Sequence, residues 1–215
     1  MAKRRNKRVS TIYRLKRSQA TLDFVDVDIE RDTKVFVSPR ALSLMHTDWG
    51  DGCVSLIQNF FETILLKIKA GDNAEAEALL GQLREPNETH LGLSRGRSRG
   101  RALGDGSAHD VWGALSRSEA AKTGMVQDLE DTVLLIPKIG VDIVSDVTTN
   151  IIRMPLIEYT QEQCRQLGIP LQEGVPSGPL WNPASREWFS KYVELPMTAE
   201  GKLLLGSKPN QHLEW

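Results

Sequence analysis

Between Gly92 and Gly106 the chain carries Arg95, Arg97, Arg99 and Arg101, one at every second position, set among Gly92, Gly96, Gly100, Gly104 and Gly106. No other stretch limits the fold so sharply. Each glycine disfavours a helix by about 1 kcal/mol relative to alanine, and Leu93 and Leu103 are its only large apolar residues. Residues 85–106 are therefore expected to form a functional loop between ordered elements, with no packed interior of its own.

In a helix, residues two apart do not share a side. In an extended chain, a period of two puts all four guanidinium groups on one face and Ser94, Gly96, Ser98, Gly100 and Ala102 on the other. Neighbours on one face then lie about 7 Å apart, close to the spacing of successive phosphates along a nucleic-acid strand. Arginine forks bind phosphate bidentately, and the Ser94 and Ser98 hydroxyls and the amides freed by glycine add donors. The expected ligand is nucleic acid, DNA or RNA, gripped by its backbone without sequence readout. The same residues also suit a carboxylate-rich partner protein, or simply a solvated loop.

Charge is unevenly distributed. Residues 1–22 hold eight Lys or Arg and no acid, so the remaining 19 basic and 28 acidic residues give 23–215 a charge of −9. This separates a basic, flexible N-terminal tail (1–22) from a single globular domain (23–215). No apolar run is long enough to span a bilayer, and no apolar stretch follows the basic start as in a secretory signal. A cytoplasmic protein with no membrane partner is expected. Cys53 and Cys164 fall on apolar helix faces, which predicts two buried thiols rather than a disulfide.

Along the chain, Val25, Val27 and Ile29 alternate with Asp26, Asp28 and Glu30, predicting a half-buried strand over 23–29. Residues 34–37 predict a second strand and the apolar run 132–136 a third, together making a mixed sheet packed with amphipathic helices. Asp51 is a candidate cap for a long helix with Ile57, Phe60, Phe61, Ile64, Leu65 and Ile68 on its inner face, widened by Leu56 and Leu66 and stopped by Gly71. Asp72 and Glu75 form a capping-box pattern for a shorter helix. A further amphipathic segment starts at Ser107 or His109 and ends near Gly124.

Ser145 and Asp146 are candidate caps for a helix from Val147, divided by Pro155 and ending at Gly168. Residues 170–183 are rich in Pro and Gly, predicting an irregular connection. Asn182-Pro183 is a helix-start signal that places Trp188, Phe189 and Tyr192 on a last aromatic helix, with Leu203–Leu205 as a closing strand. The fold class expected is α/β or α+β, in one domain.

The second candidate site is acidic. Asp142 and Asp146 offer oxygen ligands for Mg²⁺, and Glu85 and Glu88, arriving from the loop, would complete a metal-dependent nuclease cleaving the strand held by the arginines. The bland reading is that Asp146 caps a helix and Asp142 sits in a turn. An acid followed two residues later by lysine, as metal nucleases use it, occurs at Asp32-Thr-Lys34 and Glu200-Gly-Lys202, no more often than composition alone gives. His46, His90, His109 and His212 share no ligand spacing, and neither a phosphate-binding glycine loop nor a serine-hydrolase elbow is present. The reading reached is a nucleic-acid-binding protein with possible Mg²⁺-dependent phosphodiesterase activity. The alternative is a non-catalytic subunit whose arginine loop and aromatic C-terminus contact other proteins.

Overall fold

The structure, a computed structural model, describes residues 7–31, 33–84, 86–91, 113, 115, 117–118 and 140–208. Six α-helices and three antiparallel strand pairs make an α+β fold among these residues. The helices are α1 (Val9–Ile12), α2 (Pro39–Ser43), α3 (Asp48–Ala70), α4 (Asn73–Leu80), α5 (Val141–Ile151) and α6 (Arg153–Leu167).

Helix α3 is the central element. Its cap is Thr47, whose hydroxyl accepts from the Gly50 amide at 3.1 Å, so the helix starts one turn before the expected Asp51. It stops at Gly71, where the left-handed φ of 81° suits a residue without Cβ. Cys53, Ile57, Phe60, Phe61, Ile64, Leu65 and Ile68 are buried against α4 and α5, while Leu66 stays exposed and does not widen the stripe. The capping box before α4 is not made: Asp72 gives no side-chain cap, and Glu75 pairs with Lys67 of α3. Gly113, Leu115 and Arg117 are helical, and Leu115 joins this core.

The basic N-terminal segment is not a tail from Lys7 onward. Val9 and Leu22 are buried with Phe24, Val27, Ile29, Leu203 and Leu205 in a second cluster. Asp26 holds the segment in place: its carboxylate accepts from the Ser10 amide (2.8 Å) and hydroxyl (2.6 Å), and its carbonyl accepts from Arg8 (2.8 Å). That burial also explains why 23–29 is not a half-buried strand. Both sides are covered, and among the described residues its strand-type pairing is confined to the isolated bridges Arg8–Asp28 and Phe24–Ser207. Residues 34–37 are likewise not a strand; Val37 instead donates to Ser145 Oγ on α5 at 2.9 Å. The expected strand 132–136 lies outside the described residues.

Downstream, Pro155 divides the long helix as expected, because it supplies no amide to continue the α5 ladder; the break falls at Ile152. Gly168 (φ 68°) ends α6. The C-terminal region departs most from expectation. Residues 170–183 contain β1 (Gln172–Pro176) and β2 (Leu180–Asn182), and the aromatic helix is replaced by β3 (Glu187–Phe189) and β4 (Tyr192–Leu195). The Asn182 carboxamide oxygen accepts from Ala184 (2.9 Å) and Ser185 (3.3 Å), closing a tight turn in place of a helix start. Strand β1 pairs with β4 and β2 with β3, while β5 (Met197–Thr198) pairs with β6 (Gly201–Lys202). Leu203, Leu204 and Leu205 follow β6 buried but are not the closing strand expected. The expected mixed sheet is thus three small antiparallel pairs.

Candidate functional site

At the junction of α5 and α6 the apolar run around Ile151 and Ile152 is interrupted by Arg153, whose side chain is only 4% exposed. It pairs with Glu88, which the 3-10 turn Asn87–Thr89 delivers. Arg153 Nη2 also donates to Asn150 Oδ1 at 2.9 Å. Asn150 is 1% exposed and grips a second stretch of chain, donating to the Arg84 carbonyl (2.5 Å) and accepting from the Arg84 amide (3.3 Å). Glu88 in turn accepts through its carbonyl from the Leu204 amide at 2.8 Å. Two neighbouring side chains of the α5–α6 junction thereby hold Arg84 and Glu88, on the chain that leads into the arginine segment.

Arg153 also lies against the turn between β1 and β2. Gly178 has φ 79°, and a Cβ there would lie 3.5 Å from Arg153 Nη1. Lys202 of β6 reaches the same turn, donating to the carbonyls of Pro176 (2.8 Å) and Ser177 (3.3 Å). Burial, and then the field of Arg84, pulls the Arg153 guanidinium down to about 10. Burial, and then the field of Arg153, pulls Lys202 down to about 8.

Of the expected acidic site, Glu88, Asp142 and Asp146 lie among the described residues, and these three do not gather into one group. Glu88 is spent on Arg153. Asp142 is exposed at the second position of α5, and Asp146 lies within that helix, neither capping it nor in a turn; the N-terminal residue is Gly140, without a side-chain cap. The Ser145 hydroxyl, the other expected cap, accepts from Val37. Among the described residues, no three His, Cys, Asp or Glu side chains gather in a metal-holding group. Glu85, Ser94, Arg95, Arg97, Ser98, Arg99 and Arg101 lie outside the described residues.

Both cysteines are buried free thiols, each pushed up to about 12 by burial, and neither is poised as a nucleophile. The aromatic C-terminal residues divide. Trp181 and Trp188 pack on Phe60, with centroids 4.8 and 5.4 Å away, and their indoles donate to Asn59 and the Leu79 carbonyl. Phe189 and Tyr192 remain in solvent, at 43% and 76% exposure. An apolar groove of about 480 Å³ between Val35–Val37, α2 and α6 carries no titratable lining residue.

With this geometry in place, one family matches, described as "Domain of unknown function (DUF8370)", over residues 14–212. The chain belongs to that family. Comparison with curated proteins and with solved structures finds no match. The matched span includes Asn150, Arg153, Lys202 and the whole arginine segment, and begins after the α1 helix. Among the described residues no helix is long and apolar enough to cross a membrane. The junction residues were missed at the level of sequence, although one signal was present: a lone arginine inside Ile151-Ile152-Arg153-Met154-Pro155-Leu156-Ile157 is a charge in an apolar run, and such a charge needs a partner.

Proposed function

We propose that this protein binds the phosphate backbone of nucleic acid, DNA or RNA, through Arg95, Arg97, Arg99 and Arg101, with Ser94 and Ser98 as supplementary donors. The observation that carries the reading is the state of Glu88. The described acid nearest the segment is neutralised by a buried arginine, so the root of the segment presents no net repulsion to phosphate. The body, at −9 over residues 23–215, makes that local balance necessary for any polyanion to approach.

The test is anisotropy of a labelled single-stranded oligonucleotide at low salt. The variant with all four arginines replaced by alanine is expected to bind about 100-fold more weakly, at roughly 0.7 kcal/mol per lost phosphate contact. Equal affinity of variant and wild type overturns the reading. Adding Mg²⁺ to the same mixture tests the catalytic extension, in which Glu85, Asp142 and Asp146 would be the metal ligands: cleavage that a chelator abolishes supports it, and intact substrate rejects it.

A second reading is favoured by the exposure of Phe189 and Tyr192 on neighbouring antiparallel pairs: a subunit surface for a protein partner. A Phe189→Ser/Tyr192→Ser variant that loses a co-purifying partner while keeping oligonucleotide affinity would support it.

A further inference from the structure

We propose that residues 7–16 form a strap that opens as a unit while the rest of the chain stays folded, hinging at Arg17 and Ser18 and uncovering the apolar seat around Val27 and Ile29. The arginine segment plays no part in it.

The strap and its root are held in different ways. From Gln19 onward the chain is anchored. The Lys208 ammonium donates to the carbonyls of Gln19 (2.6 Å) and Leu22 (3.3 Å), and the Gln19 carboxamide donates to the Phe24 carbonyl (2.9 Å) and accepts from the Asp26 amide (2.7 Å). Leu22 and Phe24 are buried beside these bonds. Ahead of the hinge, Val9 is the one strap residue that is fully buried, and Tyr13 and Leu15 are half-buried.

Polar groups fasten the strap to its seat. The Val9 amide donates to the Val27 carbonyl (3.1 Å) and the Ile29 amide to the Lys7 carbonyl (3.2 Å). Ser10 gives its amide and hydroxyl to Asp26, and the Tyr13 hydroxyl donates to the Met197 carbonyl at 3.0 Å. On opening, water replaces these partners, so each bond contributes only its modest net share. The Lys7–Glu30 pair is half-exposed, where ion pairs add little.

The closed position is also strained. Arg14 and Lys16 both have φ 53°, in the left-handed region that favours glycine, and both side chains are exposed. They flank Leu15, which packs against the cluster of Val9 and Phe24, so the strain belongs to the seated strap. Opening relaxes both residues together, whereas the anchored root beyond Ser18 gains nothing by moving.

Hydrogen exchange of the full chain, resolved amide by amide, separates strap opening from global unfolding. Two amides four residues apart report on different events: Ile29 donates to Lys7 of the strap, and Val25 donates to the Gly206 carbonyl of the body at 3.0 Å. The amides of Val9, Ser10 and Ile29 are expected to share one opening, at least about 100-fold more frequent than that of Phe61 and Ile64 in α3 and nearly independent of urea; Val25 should exchange with α3.

Two strap variants leave the body's own residues in place. Ser10→Ala removes the hydroxyl donor to Asp26 and should speed Ile29 exchange about tenfold without changing Val25 or α3. Lys16→Gly relieves the left-handed strain and should slow Ile29 about threefold. Ile29 exchanging only with α3, or in step with Val25, or unchanged in Ser10→Ala, overturns the proposal.

Discussion

The Glu88–Arg153 pair decides most at the scale of single residues. Both side chains are almost wholly removed from water, 12% and 4% exposed, so each depends on the other for compensation. Removing one partner of such a pair typically costs about 3–5 kcal/mol, whereas replacing both by apolar residues is close to neutral. Arg153→Met alone should therefore lower unfolding free energy in urea by about 3–5 kcal/mol, and the double variant Glu88→Leu/Arg153→Met should recover most of it. A double variant no more stable than the single one would mean that Arg153 acts through Asn150 rather than Glu88. Glu88 itself was legible in the sequence as a functional candidate, but with the wrong partner. Sequence spacing offers Asp142 and Asp146 as its companions; only the fold brings Arg153, 65 positions later in the chain, to meet it.

Helices and strands show why some of the architecture could be read directly and some could not. Helix α3 was legible because its apolar stripe is long and Gly71 terminates it. Its close approach to α2 was not, because nothing in the pattern marks Gly50 as different from Gly52. A Cβ on Gly50 would come within 2.7 Å of the Leu42 carbonyl, while one on Gly52 meets nothing within 4 Å. Gly50→Ala should destabilise by about 1–3 kcal/mol, and Gly52→Ala should stabilise by up to about 1 kcal/mol, both read from urea midpoints. Opposite signs at two glycines of one helix turn would be hard to obtain without this packing.

The aromatic hairpin was misread for a related reason. Trp188 and Tyr192 stand four apart, which matches a helix face, and Asn182-Pro183 matches a helix start. The competing signal is cross-strand: Trp181 pairs with Trp188, and both indoles find hydrogen-bond partners on α3 and just within α4's last turn. Tertiary packing on Phe60 outweighs local propensity here. The extended 23–29 segment shows the opposite case, where alternation was real but a buried Asp26, satisfied by Ser10, removed the solvent-facing side.

For the molecule as a whole, charge placement ties the fold to the proposed function. Among the described N-terminal basic residues, Lys7 pairs with Glu30 at 2.5 Å and Arg8 donates to the Asp26 carbonyl, so these two are tied to the body. The proposed grip on phosphate therefore rests on the arginine segment itself. The chain on either side of it, Arg84 and Glu88 before and the α5–α6 junction after, is tied together by Asn150 and Arg153. The most direct test is the salt dependence of oligonucleotide affinity for wild type and for the variant with Arg95, Arg97, Arg99 and Arg101 changed to alanine. Each phosphate contact contributes about 0.7–0.9 to the slope of log K against log salt, so the slope should fall by about 3 in the variant; an unchanged slope would contradict the account.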